Sequence, residues 1–412
     1  MKGRLLAVLA GMAIVAGIAV TAAFGAQTAD PGVSASTITI GGTFPLTGPA
    51  SLYKTIPAAE KAYFDYVNDH GGVNGRKIVF KIEDDAYDPS KTVPLTQQLV
   101  EQDKVFAVYG SLGTAPNLAI WNYLNQRKVP HVLLATGDSY WGFSAKKYPW
   151  TIGFQPDYPG ETKIYGKYIN ANIKDAKIGV LYQNDAYGKN YFAGLRVGLG
   201  KNKDAIISKQ PFDLSAGNVT QQMLALKASG ANTFVILATP TPAIQAMVTA
   251  TKIGWKPDHV FLNNVSAVST FLKLAAANGA DVDGIISTGA YVDASIPKYA
   301  NNPGVKLGKQ ILAQYASSLD PNNSLTFYGL ANAWTMVYGL KNAGKTPTRA
   351  GLVRALKHLN PAKAKNPFLA PGVTLKTGAR DNFPLEQVQL IRWGGGATGN
   401  WNPFGKVYNG VR

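Results

Sequence analysis

Cysteine is absent from all 412 residues. That excludes disulfide staples, thiolate zinc or iron–sulfur centres, thiol catalysis and lipid attachment through an N-terminal cysteine. Histidine is scarce. His70, His131, His259 and His358 are scattered, none has a partner at metal-ligand spacing, and all four read as structural or surface residues. Acidic residues are in deficit, 24 against 41 lysines and arginines, a formal charge of +17. The lysines are spread along the chain, with no arginine-rich run and no nucleic-acid motif. The charge is therefore read as aiding solubility, attracting anionic ligands or favouring an anionic membrane surface, and not as binding nucleic acid. No G-x-S-x-G elbow occurs and no base is spaced for a nucleophile, so no enzyme, metal or cofactor is expected.

Only one apolar run approaches the length of a membrane span, Leu5 to Phe24. Lys2 and Arg4 precede it, and Ala23, Gly25 and Ala26 close it, the order of an export leader over residues 1–26. A retained anchor is the rival reading. The Ala- and Gly-rich composition and the small residues at its end favour cleavage, placing the remainder in the periplasm.

Past this leader the chain alternates between strand and helix patterns. Thr37–Thr43 is a β-branched strand, Pro57–His70 a helix with Ala58, Ala62, Tyr63, Tyr66 and Val67 on one face, and Gly71–Gly75 a tight turn. Lys77–Glu83 is a second strand, and Asp88-Pro89-Ser90 opens a helix to about Gln102. A second strand–helix series begins after Phe154 and ends near Thr288. Beyond Tyr291 the pattern turns helical, before a late strand over Glu386–Arg392 and a Gly-rich tail loop or hairpin. Alternation of this kind predicts an α/β layer fold with parallel crossovers, as two lobes of similar size.

One stretch stands out, Val105 to Gln126. Val105–Tyr109 reads as a buried strand, Gly110-Ser111-Leu112-Gly113-Thr114 breaks it, and Pro116, Leu118, Ile120, Trp121 and Leu124 recur at helical spacing up to Pro130. A strand, a glycine-flexed loop and a helix N-terminus turn unpaired N–H groups and the positive helix end toward one spot, a ready anion site. Ser111 and Thr114 add hydroxyls there. The same corner could also simply turn the chain.

The order TITIGGTFPLTGPASLY, KAYFDYVNDHGGVNGRKIVFKIEDDAYDPSKT, VYGSLGTAP and KIGVLYQNDAYGKNYFAGL resembles the type I periplasmic binding proteins. More narrowly, it is similar to the leucine/isoleucine/valine-binding branch that serves ABC importers. The match is good from Thr37 to Ala290 and looser beyond, and GGVNGRKI with DDAYDP is its most specific part. The resemblance implies two lobes, each an open, mainly parallel sheet flanked by helices, joined by three crossings. Lobe one would take residues 36–154 plus 291–382, and lobe two 155–290 plus 383–412. It further implies a monomer that clamps one small ligand by hinge closure and docks on an ABC permease in the membrane.

Carried over residue by residue, Ser111 and Leu112, Gly113 and Thr114 stand where the family binds a ligand carboxylate. Thr136 and Gly137 stand where it adds a further contact. Tyr53 matches an aromatic at the mouth of lobe one, and Tyr187 one that closes from lobe two. Amino-acid binders of this branch carry an acidic residue after the late strand of lobe two; here FLNNVSAV offers Asn263, Asn264 and Ser266 instead. A buried ammonium without a counter-charge is costly, so a carboxylate ligand without an α-amine is expected in place of leucine. Asp138, inside the carboxylate-binding loop, either caps the next helix or offers an anionic partner to an amine, polyol or amide. A sensor using the same clamp, and a true branched-chain amino-acid binder, are the alternative functions.

Overall fold

The computed structural model describes residues 30–409. The expected leader lies outside the described residues. Among those described, no helix is long and apolar enough to cross a membrane.

Two sheets organise the chain. The first is built from β1 (Thr37–Phe44), β2 (Lys77–Asp84), β3 (Val108–Tyr109), β4 (His131–Leu134) and β5 (Thr151–Gly153), in the order β2-β1-β3-β4-β5, all parallel. The second contains β6 (Ile178–Gln183), β7 (Ile206–Phe212), β8 (Thr233–Leu237), β9 (His259–Leu262), β10 (Ile286–Gly289), β11 (Val388–Gly394) and β12 (Asn400–Tyr408). Its order is β12-β11-β10-β9-β8-β6-β7. It is parallel from β7 to β10 and antiparallel at β11 and β12. The central strands are covered by helices on both faces, which is why β8 reads TFVIL without alternation and every residue of it is buried.

The expected alternation is present, with informative differences at its margins. The ladder at β3 is shorter than the apolar run Val105–Tyr109. Phe106 N–H donates to Thr39 O and Gly41 N–H to Ala107 O, so the earlier residues are held by irregular bonds to β1. Asp88 caps Pro89–Gln97, and a π-helical turn, Gln98–Gln102, carries the chain on. β5 and the helix Ser269–Ala277 carry too few residues of clear period to stand out in the sequence. Gly394–Gly399 fits the bare G-x-G-x-x-G spacing, but it joins two antiparallel strands and opens no helix after a parallel one, so it is no dinucleotide fingerprint.

The chain passes between the sheets three times, after β5, after β10 and before β11. In the interval before β11 it adds helices Pro303–Tyr315, Ser324–Asn342 and Arg349–Leu356 to the first lobe. Asn332 Nδ2 donates to Leu133 O at 2.9 Å, and the Arg349 guanidinium to Val105 O and Phe106 O at 2.7 and 3.0 Å. The second and third passes run side by side, Val292 N–H donating to Phe368 O and Ala370 N–H to Ala290 O, both at 3.0 Å. Phe383 still packs with Trp121, Leu134 and Trp141 of the first lobe. The strand ends of both sheets thus face a common gap, where open α/β sheets bind ligands.

Candidate functional site

The first wall of the gap grows from the end of β3. Gly110 and Gly113 take φ of +67° and +102°, and Gly113 caps the helix Thr114–Gln126. The turn is stitched to both neighbouring strands. Ser111 Oγ accepts Thr43 N–H at 3.1 Å, Leu112 N–H donates to Thr43 O at 3.0 Å, and Gly113 N–H to Ala135 O at 3.3 Å. Behind it, the Thr114 and Thr136 hydroxyls are bonded at 2.7 Å, both fully buried. Leu112, Gly113 and Ala135 reach the gap. Ser111, Thr114 and Thr136 form the layer that holds them. Gly137 O accepts Tyr158 N–H at 2.8 Å.

Asp138 comes next along the loop. One carboxylate oxygen accepts Tyr140 N–H at 2.9 Å, just ahead of the short helix Tyr140–Phe143, whose N-cap is Ser139; the other is buried without a hydrogen-bond partner. Burial, with Asp185 of the second lobe facing it, raises its pKa to about 6. Beside it Ser139 bonds across the gap to Asn190, at 3.1 to 3.3 Å.

The second wall is of a different kind. Asp185 caps the helix Ala186–Leu199 by accepting Gly188 N–H at 3.1 Å, and this sets Tyr187 on the first turn. Asn263 Nδ2 donates to the Tyr187 hydroxyl at 2.6 Å. Asn264 Oδ1 accepts Gln155 Nε2 at 2.9 Å, and its N–H donates to Glu161 Oε1 at 2.7 Å. Glu161, fully buried on the helix Tyr158–Asn172, also accepts the hydroxyls of Tyr165 and Tyr191. Burial raises its pKa to about 7 against those bonds. FLNNVSAV carries no acid, yet a buried carboxylate from another element stands directly behind it.

Between the walls lies a cavity of about 110 Å³. Tyr53, Tyr87, Tyr158, Tyr187, Tyr291 and Tyr328 line it, together with Leu112, Gly113, Gln155, Thr239, Asn264, Thr288 and Asp293; no Lys, Arg or His does. Tyr53 spans the gap, its hydroxyl donating to Val265 O at 3.2 Å, and Thr241 Oγ1 donates to Pro49 O at 3.3 Å. The lobes are therefore closed upon each other. The histidines lie elsewhere. His131 is buried with Nε2 on Asn117 Oδ1 at 2.7 Å, and burial lowers its pKa to about 3. Among the described residues no cluster of three or more His, Cys, Asp or Glu could hold a metal ion.

The family profile described as Periplasmic binding protein matches residues 37–398. The chain belongs to that family. A Leu/Ile/Val-binding protein homolog 3 of Brucella melitensis biotype 1 is 24% identical over 81% of this chain and 87% of its own length. Two solved structures share the type I periplasmic binding protein fold. One is a branched chain amino acid ABC transporter protein of Thermus thermophilus with bound valine, with 17% identity, TM-score 0.79, and coverage of 92% of this chain and 97% of that one. The other is a solute binding protein of an ABC transporter from Rhodopseudomonas palustris BisB5 in complex with 3,4-dihydroxy benzoic acid, with 19% identity, TM-score 0.72, and coverage of 91% and 98%.

In this periplasmic binding protein the residues singled out in the sequence thus divide into two groups. Tyr53, Leu112, Gly113, Tyr187 and Asn264 line the cavity, whereas Ser111, Thr114, Thr136, Gly137 and Asp138 form the layer behind the first wall or its rim. Tyr87, Gln155, Tyr158, Thr239, Tyr291, Asp293 and Tyr328 escaped sequence reasoning. Tyr87 had a signal, since it sits inside DDAYDP, where Asp84 and Asp85 accept the N–H groups of Ala86 and Tyr87 and hold both residues at positive φ. Its ring lies over Gly113, where a Cβ would come within 2.5 Å of it. Tyr291 and Tyr328 had none, because they meet only through the second and third chain passes.

Proposed function

We propose that this protein is the extracytoplasmic solute-binding component of an ABC importer. In this reading, working as a monomer in the periplasm, it captures a small carboxylate-bearing organic molecule by hinge closure and delivers it to a membrane permease. The observation that carries this reading is a cavity walled by both lobes, with hydrogen bonds crossing the gap around it. A site on which two domains close is a capture device, since ligand contacts made only in the closed form draw the lobes together.

The carboxylate end is assigned to the turn at Leu112 and Gly113, where the N-terminus of the helix Thr114–Gln126 supplies positive potential. Ser111, Thr136 and Gly137 hold that turn in place, and Asp138 sits at its rim. Phenol rings from Tyr53 and Tyr187 flank the body of the ligand, and Asn264 offers an amide. A wall of phenols suits an aromatic or aliphatic acid. Asp293 favours a second reading, an amino acid of the kind named for the Brucella relative, because its carboxylate lies in the cavity wall. Both its oxygens already accept bonds from Ser269 and Ser295, which weakens it as a partner for an ammonium.

A thermal-shift screen of organic acids, amino acids, amides and polyols tests the assignment. A ligand at 100 times its Kd adds about 2.7 kcal/mol of stability. Acids without an amine are expected to outrank leucine and valine; the reverse order returns the assignment to the amino-acid reading.

A further inference from the structure

The lining of the cavity also takes in Val268, Ile296, Leu325, Ile391 and Trp401, each at most 7% exposed, which make an apolar side, or arm, with the polar Tyr299, Ser324 and Gln389 beside them. The apolar five come from separate places: the start of the helix Ser269–Ala277, the pass after β10, the first turn of Ser324–Asn342, β11 and β12. None belongs to the wall that carries the turn at Gly113. Asp293 is fully engaged by Ser269 and Ser295. The indole N–H of Trp401 and the hydroxyls of Tyr291, Tyr328 and Thr288 are buried without a hydrogen-bond partner.

A compact ligand seated at the Gly113 turn and enclosed by Tyr53 and Tyr187 has no use for such an arm. We propose that it receives an alkyl or aryl-alkyl tail, so that the protein selects elongated, amphiphilic acids over compact ones. This rests on the capture reading above and extends it. The polar end is held at the first wall, and the tail runs under the second and third chain passes, which are bonded to each other along Ala290–Val292 and Phe368–Ala370. Burying the tail there links chain length to the closed form, because the arm is completed by Leu325 of the first lobe and Ile391 and Trp401 of the second.

The test is a calorimetric titration of the purified protein with two homologous series, straight-chain monocarboxylates and straight-chain primary alcohols of four to ten carbons. Affinity for the acids is expected to rise about three- to fourfold per added methylene until the arm is filled. Ile391→Trp should end that rise at a shorter chain, and Ile391→Ala should extend it. A length-dependent rise for alcohols but not acids supports the arm and removes the carboxylate assignment. Acids that bind with no dependence on length overturn the arm and leave the capture reading intact. Binding of neither series overturns both.

Discussion

The two walls of the cavity solve the same problem with different chemistry. The first is a turn whose side chains are small and whose backbone is stitched to β1 and β4, with Ser111, Thr114 and Thr136 buried as its fastenings. The second is a network in which a buried carboxylate, Glu161, collects the Asn264 N–H and two phenols, while amides position Tyr187. A backbone turn offers fixed partial charges and tolerates no added atoms. A side-chain network offers polarity that depends on protonation. The first wall should therefore fail sterically, and the second electrostatically.

The largest effect is expected at Gly113. A Cβ there meets the Tyr87 ring at 2.5 Å, on a residue held at φ +102°. Gly113→Val should cost about 2–4 kcal/mol of stability and abolish ligand binding, as read by chemical denaturation and calorimetry. A Gly113→Val protein that binds normally would show that the turn is no part of the wall.

Next comes Glu161. Glu161→Leu strands the Asn264 N–H and leaves the Tyr165 and Tyr191 hydroxyls to their second partners, Leu262 O and Asn264 Oδ1, a loss of about 3 kcal/mol in urea unfolding. Glu161→Gln should cost less and should change the pH profile. The folded chain holds the Glu161 proton more tightly than the unfolded chain, because burial raises its pKa to about 7. Its stabilising share is thus complete at acidic pH, below the usual carboxyl range, and is lost as pH rises toward 7. That loss should vanish in Glu161→Gln.

Asp138 brings the two walls into one measurement, since it belongs to the first and faces Asp185 of the second. Its pKa of about 6 in the closed form lies above the usual carboxyl value. The part of that rise owed to Asp185 is made only when the lobes meet, so closure takes up proton and affinity for a ligand of constant charge should fall between pH 5 and pH 7. Asp138→Asn should flatten that slope. A slope that survives the substitution assigns the proton elsewhere.

The smallest effects belong to the bonds across the gap. Tyr53→Phe removes the bond to Val265 O, and Asn190→Ala those to Ser139. Each should weaken ligand binding about three- to tenfold, with the unliganded melting temperature unchanged because the bonds form only on closure. A drop in that temperature would mean that the lobes are joined without ligand.

How much of this could be read beforehand differs between elements. The strand–helix alternation was legible because buried parallel strands are continuous apolar runs, as in KIGVLY and TFVIL, and because caps such as Asp88-Pro89 mark helix starts. The corner at Gly110–Thr114 was legible for the same local reason. Tyr53, Tyr187 and Asn264 were legible only through the family's order of motifs. That Ser111 and Thr136 support the wall from behind, and that Glu161 lies behind FLNNVSAV, depends on contacts between segments far apart in the chain.

The class of fold, the two lobes and the place where a helix N-terminus meets the gap were all legible along the chain, since they rest on local periodicity and turn chemistry. The cavity's lining, its freedom from Lys, Arg and His and its apolar side came from long-range packing. Those depend on three chain passes that bring Tyr158, Tyr291, Leu325 and Ile391 together, and no local rule records which distant segments a closing hinge will place side by side.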